Sequence, residues 1–217
     1  MVNIVSIIVL LSGIVLGLLI AVYSAHILKK NEKILSSYSI GVCVVHTVMY
    51  ILVYMIYGLS VTCVLYLLLT TLLVGLSIVD WCSYEIPIQF NYFILGLGIV
   101  RVITDSQHWI DYIIGMVLVS GIFFIIVLAT KGRGMGGGDV KLMFTVGLLL
   151  GWKRILLVMI LGSILGAIIH MIIMKVKNKD KVLAFGPYLS LGAYITVCYG
   201  DKIINWYMSY VKDIVNS

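Results

Sequence analysis

Long apolar runs dominate this chain and constrain its fold more than any other feature. Eight of them follow one another along the sequence, at about residues 4–23, 38–57, 61–79, 90–102, 110–130, 140–150, 155–174 and 182–199. An α-helix needs about 20 apolar residues to cross the hydrocarbon core of a membrane. Only 11% of the residues are charged, against roughly a quarter in soluble domains. The sequence therefore predicts an all-α polytopic bundle of about eight transmembrane helices in a lipid bilayer.

The runs divide the chain into three predicted parts within a single membrane domain. An N-terminal helical pair covers residues 1–60, a core covers 61–199, and a C-terminal tail covers 200–217. The run 140–150 is short for a span, so its helix is expected to start inside the membrane or to cross a thinned region. The tail is predicted to form an interfacial amphipathic helix over 203–215, because apolar and polar residues mix there.

Basic residues are distributed unevenly between the two predicted membrane faces. Alternate connections place ten lysines and arginines on one face and five on the other. Cytoplasmic loops carry the excess of basic residues, so the face with ten is predicted to be cytoplasmic. The ten residues are Lys29, Lys30, Lys33, Lys131, Arg133, Lys141, Lys175, Lys177, Lys179 and Lys181.

Nucleic-acid, metal and cofactor binding are disfavoured. The net charge of +6 is explained by the basic loops, so no nucleic-acid partner is expected. The four cysteines are widely scattered and form no CxxC pair, which gives no zinc or redox motif. His46 and His170 each lie alone in an apolar run, a position typical of a buried hydrogen-bonding histidine rather than a metal ligand. We therefore predict neither a metal nor a cofactor.

A glycine cluster followed by one acid is the most unusual local motif. Gly134, Gly136, Gly137 and Gly138 precede Asp139, and an apolar run starts immediately afterwards. Glycine permits backbone conformations and close approaches that other residues do not, and an acid at the edge of a membrane helix suggests a functional site. No lysine followed by Ser or Thr comes after the glycines, which disfavours a phosphate-binding loop. No GxSxG motif is present either, so acid chemistry remains.

Asp80 is the candidate partner of Asp139. It ends the third apolar run in front of a predicted polar loop over 81–87, and the charge count places both acids on one face. Two carboxylates close together cannot both ionise cheaply, so they share a proton. Such a pair can hold a water molecule, with one aspartate taking its proton and the other protonating a scissile carbonyl oxygen. The alternative interpretation is that each acid is a solvated loop residue or a helix cap.

A third segment, Phe185-Gly186-Pro187, enters the last predicted span from the same face. Together with Gly136-Gly137-Gly138-Asp139, and with Asp80 before Ile86-Pro87 and Asn91, it resembles the type IV prepilin peptidases. These are GxGD-type intramembrane aspartyl proteases. The resemblance extends over about residues 61–199 and implies a membrane aspartic endopeptidase with Asp80 and Asp139 as its catalytic pair.

The resemblance also implies roles for the residues around the two acids. They would bind the substrate or shape the loop that presents Asp139, and they are Gly134, Gly136, Gly137, Gly138, Lys141, Glu85, Pro87, Phe185, Gly186 and Pro187. The implied partners are prepilins or pseudopilins. Their short basic leader is cut after a glycine and before a hydrophobic helix, at the cytoplasmic face of the inner (plasma) membrane.

One departure from the family concerns methylation. Many bacterial members carry a cytoplasmic domain with paired cysteines after the first helix and also N-methylate the new terminus. Here the connection 24–37 has no cysteine and no room for such a domain, so N-methylation of the product is doubtful.

Two other classes of function remain open at this point. A transporter or channel would use Asp80 and Asp139 to bind a cation or relay protons. A catalytically silent subunit of a secretion machine would need neither acid. The sequence does not predict an oligomeric state.

Overall fold

The computed structural model describes residues 4–28, 32–177 and 184–215, and these form an all-α bundle. The helices are α1 (Ile4–Ile27), α2 (Glu32–Tyr57), α3 (Val61–Ser83), α4 (Ile88–Thr104), α5 (Trp109–Ala129), α6 (Gly137–Leu150), α7 (Trp152–Lys177) and α8 (Gly186–Val215). A single turn of 3-10 helix, Ser106–His108, precedes α5. The predicted fold class is confirmed, and each apolar run corresponds to one helix.

Five of the described helical segments are long and apolar enough to cross a membrane. They are Ile4–Ile27, Ser39–Tyr57, Val61–Ser83, Ser106–Ala129 and Trp152–Ile173. The chain is therefore a multi-pass membrane protein. The shorter helices α4 and α6 complete the bundle by packing against each other and, for α6, against α5.

Three predicted boundaries were wrong. The segment 81–83 is not part of a loop, because α3 continues through Ser83 and ends where Tyr84 adopts a left-handed conformation, φ 58°. The glycines before Asp139 are not all in a loop either, since α6 begins at Gly137. The tail 203–215 is helical but continuous with α8, which has no break between Gly186 and Val215. Four of the basic residues used for orientation, Lys29, Lys30, Lys179 and Lys181, lie outside the described residues.

Helix α3 lies at the centre of the bundle and contacts α1, α2, α4 and α8. Leu69, Leu73 and Leu76 on α3 are almost completely buried. A buried polar group joins α3 to α1 and α2: His46 Nδ1 lies 2.8 Å from the Gly13 carbonyl oxygen, and His46 Nε2 lies 3.0 Å from Thr71 Oγ1. His46 is thus the buried hydrogen-bonding residue that the sequence predicted.

The position of α6 is fixed by a close crossing with α5. A Cβ atom added to Gly115 would lie 2.6 Å from the Gly147 carbonyl oxygen, so the two backbones are in direct contact. Only glycine at both positions permits this approach. The crossing places the first turn of α6 at the same end of the bundle as the last turn of α3 and the first turn of α8.

Candidate active site

Asp80 lies in the last turn of α3, and its side chain is 4% exposed. The backbone N–H of Gly186, the first residue of α8, donates a hydrogen bond to Asp80 Oδ2 at 2.9 Å. A carboxylate at a helix N-terminus is stabilised by the free N–H groups there. Glycine is required at position 186, because an added Cβ atom would lie 2.6 Å from Asp80 Oδ2.

Asp139 is the third residue of α6 and is 7% exposed. Gly136 precedes the helix as its N-cap residue in an extended conformation, and the Asp139 carboxylate reaches back towards the Gly136 backbone N–H. This resembles half of a capping box, in which the side chain of an acidic third helical residue accepts a hydrogen bond from the backbone N–H of the N-cap residue. Local helix-start geometry therefore explains why Asp139 points back towards the helix end.

The connection between α3 and α4 follows Asp80 closely in the chain and packs against the start of α6, which carries Asp139. Ile86 in that connection packs against Gly138, whose added Cβ atom would lie 3.1 Å from the Ile86 Cβ atom. The two carboxyl groups lie within electrostatic range of each other. Because both are buried, they cannot both carry a charge cheaply, and a shared proton is the favourable arrangement. The site is thus a pair of acids where the ends of α3, α6 and α8 meet.

The Phe185-Gly186-Pro187 segment contributes packing as well as the Gly186 N–H. The Phe185 ring lies against Gly166 of α7 and near Phe123 of α5, with 6.2 Å between the two phenyl centroids. Pro187 is buried in the first turn of α8. These contacts hold the start of α8, and therefore the Gly186 N–H, beside Asp80.

The remaining residues that the sequence analysis assigned to the site lie in the connections and at the helix starts around the two aspartates. Glu85 is exposed in the α3–α4 connection, and Pro87 is the N-cap residue of α4. Gly134 donates its N–H to Thr130 Oγ1 at 3.2 Å, which shapes the connection into α6. Lys141 is exposed on α6, and an added Cβ atom at Gly137 would meet nothing within 4 Å. None of these contacts either carboxyl group directly among the hydrogen bonds of the described residues.

Asn91 is the buried polar residue of α4 to which the motif analysis assigned no role of its own. It is 3% exposed, and neither its side-chain nitrogen nor its oxygen has a hydrogen-bond partner among the described residues. An unmet buried polar group costs about 1–3 kcal/mol. In the sequence Asn91 belongs to the motif that carries the family resemblance, four residues after Pro87, but its burial without partners is visible only in three dimensions.

Metal ligation is not supported by the part of the chain that the structure describes. No group of three or more His, Cys, Asp or Glu side chains lies close enough together to hold a metal ion in those ranges.

Comparison with known proteins identifies a family domain in this chain. Residues 66–171 match the type IV leader peptidase family. The chain carries a domain of this family. The matched segment includes Asp80 and Asp139 and ends before Gly186, and the family resemblance seen in the sequence is confirmed.

Curated relatives are similar to this chain over about two thirds of its length. A prepilin leader peptidase/N-methyltransferase of Aeromonas salmonicida (strain A449) is 32% identical over 150 residues, which is 66% of this chain and 52% of the relative. The protein of the same name from Legionella pneumophila is 30% identical over 161 residues, 71% of this chain and 56% of the relative. The chain thus spans about half the length of the curated relatives it matches. No solved structure matches it.

Proposed function

We propose that this protein is a membrane aspartic endopeptidase that removes the short basic leader of type IV prepilins or pseudopilins. The observation that carries the proposal is the pair of buried aspartates, Asp80 and Asp139, at adjoining helix ends, with the Gly186 N–H bonded to Asp80. The family match and the names of the relatives, prepilin leader peptidase/N-methyltransferase, support the substrate class.

The two aspartates take different roles in the proposed reaction. A hydrogen bond to a carboxylate favours its charged form, so Asp80, which accepts the Gly186 N–H, acts as the general base. Asp139 holds the shared proton. Asp80 takes a proton from a water molecule as its oxygen attacks the scissile carbonyl carbon, and Asp139 protonates the carbonyl oxygen. When the tetrahedral intermediate collapses, the C–N bond breaks, the proton on Asp80 passes to the leaving amine, and one hydroxyl of the intermediate returns its proton to Asp139.

The proposed cytoplasmic location of the site in the inner membrane rests on basic residues near it. Lys131 and Arg133 lie exposed in the connection that leads to α6. A membrane protein carries most of its basic loop residues on the cytoplasmic side. A leader peptide on that side of a prepilin would meet the aspartates where its apolar helix enters the lipid.

Methylation is treated separately from cleavage. The relatives are named as N-methyltransferases as well as peptidases, but the connection between α1 and α2 in this chain has no cysteine. We propose that the chain cleaves without methylating. Mass spectrometry of the processed pilin, after incubation with the purified protein and S-adenosylmethionine, is expected to show an unmethylated N-terminus.

The decisive experiment combines purified protein with a prepilin and follows the loss of the leader on a gel. Asp80→Asn and Asp139→Asn are each expected to slow cleavage by about 10³-fold or more, the effect of removing a general acid or base, while both variants still insert into membranes. Asp213→Asn, which changes an exposed acid of α8, is the matched control and should cleave at the wild-type rate. Retained cleavage in either active-site variant rules out the proposal, and ion flux in liposomes without cleavage would favour a transporter.

A further inference from the structure

A groove runs along the surface of α4, α5 and α6 and begins next to Asp139. It has a volume of about 430 Å³, and Val140 and Lys141, the two residues after Asp139, line its start. The rest of the wall is almost entirely apolar, and includes Tyr92, Leu95, Val117, Phe124 and Phe144. An apolar chain bound in this groove would therefore reach the first turn of α6, which carries Asp139.

Asn91 also lines this groove, and its side-chain nitrogen and oxygen are both buried without a partner among the described residues. Two other polar side chains in the wall are satisfied within their own helices. Ser120 Oγ donates to the Met116 carbonyl oxygen at 2.5 Å, and Thr145 Oγ1 donates to the Lys141 carbonyl oxygen at 3.2 Å. Unmet polar groups of this kind are rare in native structures and call for an explanation.

The chemistry of Asn91 selects between the two kinds of molecule that could fill an apolar groove in a membrane. A lipid acyl chain would cover the apolar wall but would offer nothing to a carboxamide. An extended peptide offers one N–H donor and one carbonyl acceptor per residue, and a carboxamide both donates and accepts. A helical peptide has already used these groups internally. The unpaired amide therefore fits an extended apolar peptide.

Resting on the proposed peptidase function, we propose that this groove binds the apolar segment of the substrate beside its cleaved bond, in extended form, with Asn91 hydrogen-bonded to the substrate backbone. Asn91 is a positioning residue in this arrangement. It holds the scissile bond near Asp139 and does not take part in the chemistry. The apolar wall accounts for a preference for a hydrophobic sequence on one side of the cleaved bond.

A second cavity, about 500 Å³ between α2, α3 and α8, is the competing location. Ser77, Pro187 and Ser190 line it, and Ser190 Oγ is buried without a partner among the described residues. A helical serine can meet this need by rotating towards the carbonyl oxygen one turn earlier in its own helix. Asn91 cannot meet its need in this way, because both its donor and its acceptor lack a partner among the described residues. The groove beside Asp139 is therefore the better candidate for a ligand site than the second cavity.

The first test replaces Asn91 with an apolar residue of similar size. Asn91→Leu removes both unmet polar atoms, so the variant should unfold at the same or a higher temperature than the wild type. Its kcat/KM for the prepilin should nevertheless fall about tenfold, mainly through KM, which corresponds to about 1.4 kcal/mol. Thr196→Val removes another buried unpaired hydroxyl, far along α8, and should leave both kinetic constants unchanged. An unchanged kcat/KM in Asn91→Leu overturns the inference while leaving the peptidase assignment intact.

Photo-cross-linking provides a test that does not depend on the stability of the Asn91 variant. A benzophenone amino acid is placed at Val117 in the groove, or at Val45 in the competing cavity, in the Asp139→Asn background to retain uncleaved prepilin. Cross-links to the apolar segment of the prepilin from position 117 are expected. Cross-links from position 45 alone, or from neither position, overturn the inference. Failure of the wild-type protein to cleave any prepilin would instead reject the proposed function.

Discussion

At one end of the bundle Asp80 and Asp139 are buried with few hydrogen-bond partners, whereas at the other end Arg101 and Arg154 have several each. We refer to these regions as the aspartate end (Asp80, Asp139 and Gly186) and the arginine end (Arg101, Arg154, Asp105 and Asp201). Helix α3 connects them, with Thr62 at the arginine end and Asp80 in its last turn. The separation along the helix is about 27 Å, at 1.5 Å per residue.

The arginine end satisfies its charges. Arg101 donates to Tyr112 Oη at 2.8 Å and to Thr62 Oγ1 at 2.6 Å, and it forms an ion pair with Asp105 at 3.2 Å. Arg154 bonds both carboxylate oxygens of Asp201, at 3.1 and 2.6 Å. Bidentate pairs of this kind are among the stronger hydrogen-bonded contacts in proteins, so this end serves to hold α3, α4, α7 and α8 together.

The aspartate end has the opposite character. Its two carboxyl groups are buried, and the hydrogen bonds they accept among the described residues come from backbone N–H groups, of Gly186 to Asp80 and of Gly136 to Asp139. Incompletely paired, buried ionisable groups are characteristic of functional sites rather than of structural contacts. The contrast predicts that changes at the aspartate end will affect cleavage, and that changes at the arginine end will affect stability.

Among substitutions outside the two aspartates, that of Gly186 should have the greatest consequence for cleavage. In Gly186→Ala the added methyl group would lie 2.6 Å from Asp80 Oδ2, so the carboxylate or the start of α8 must move. A displacement of about 1 Å in a catalytic group can cost about 10²-fold, and we expect a loss of this order in prepilin cleavage. Gly96→Ala is the matched control, because a methyl group there meets nothing within 4 Å. A Gly186→Ala protein that cleaves normally would show that the Gly186–Asp80 contact is dispensable.

Arg154→Met should produce the reverse result. It removes the hydrogen bonds to Asp201 and Tyr66 and should lower the free energy of unfolding by about 2 kcal/mol, the range for hydrogen bonds to charged groups. Cleavage per folded molecule, measured well below the unfolding temperature, should be unchanged. Thermal unfolding in detergent and the gel assay separate the two quantities. A specific loss of cleavage without loss of stability would contradict the division between the two ends.

Asp105→Asn should give a smaller, pH-dependent effect. Hydrogen bonds from His108 and Tyr112, together with the charge of Arg101, hold the pKa of Asp105 below its ordinary value of 3.8. A carboxyl group whose pKa is lower in the folded state adds stability at neutral pH and loses it as the pH falls through the folded-state pKa. At pH 7 the free energy of unfolding of the wild type should therefore exceed that of Asp105→Asn by at most about 1 kcal/mol, the range for exposed ion pairs. The difference between the two unfolding free energies should shrink as the pH falls below 3.8 and through the folded-state pKa of Asp105, and a constant difference would exclude titration of Asp105 as the cause.

Much of the fold follows from the sequence because lipid leaves few alternatives. A backbone in hydrocarbon must satisfy its own hydrogen bonds, so long apolar runs become helices. The ends of the helices were harder to predict from the sequence. Residues 81–83 are polar enough to suggest a loop, but nothing in them breaks a helix, and α3 stops only at Tyr84. The glycines before Asp139 also suggested a loop, although Gly137 and Gly138 form the first turn of α6.

The candidate site was predictable in its components and not in its contacts. Asp80, Asp139 and Gly186 stand out from their apolar surroundings, and the family motif relates them. The hydrogen bond from Gly186 to Asp80 connects residues more than 100 positions apart, and the Arg154–Asp201 pair joins α7 to α8. Sequence spacing does not determine such pairs, because they depend on how the helices pack.

Helix α8 is also long enough to connect the aspartates with the opposite boundary of a bilayer. It is 30 residues long, or about 45 Å, which exceeds the roughly 30 Å hydrocarbon core. Its far end carries the exposed rings of Trp206 and Tyr210, stacked with 6.2 Å between their centroids, and such aromatic residues prefer the boundary between lipid and water. Trp206 lies about 30 Å along the helix from Gly186. If these rings lie at one boundary, a hydrocarbon core of roughly 30 Å would place the start of α8, and with it Asp80, at the other.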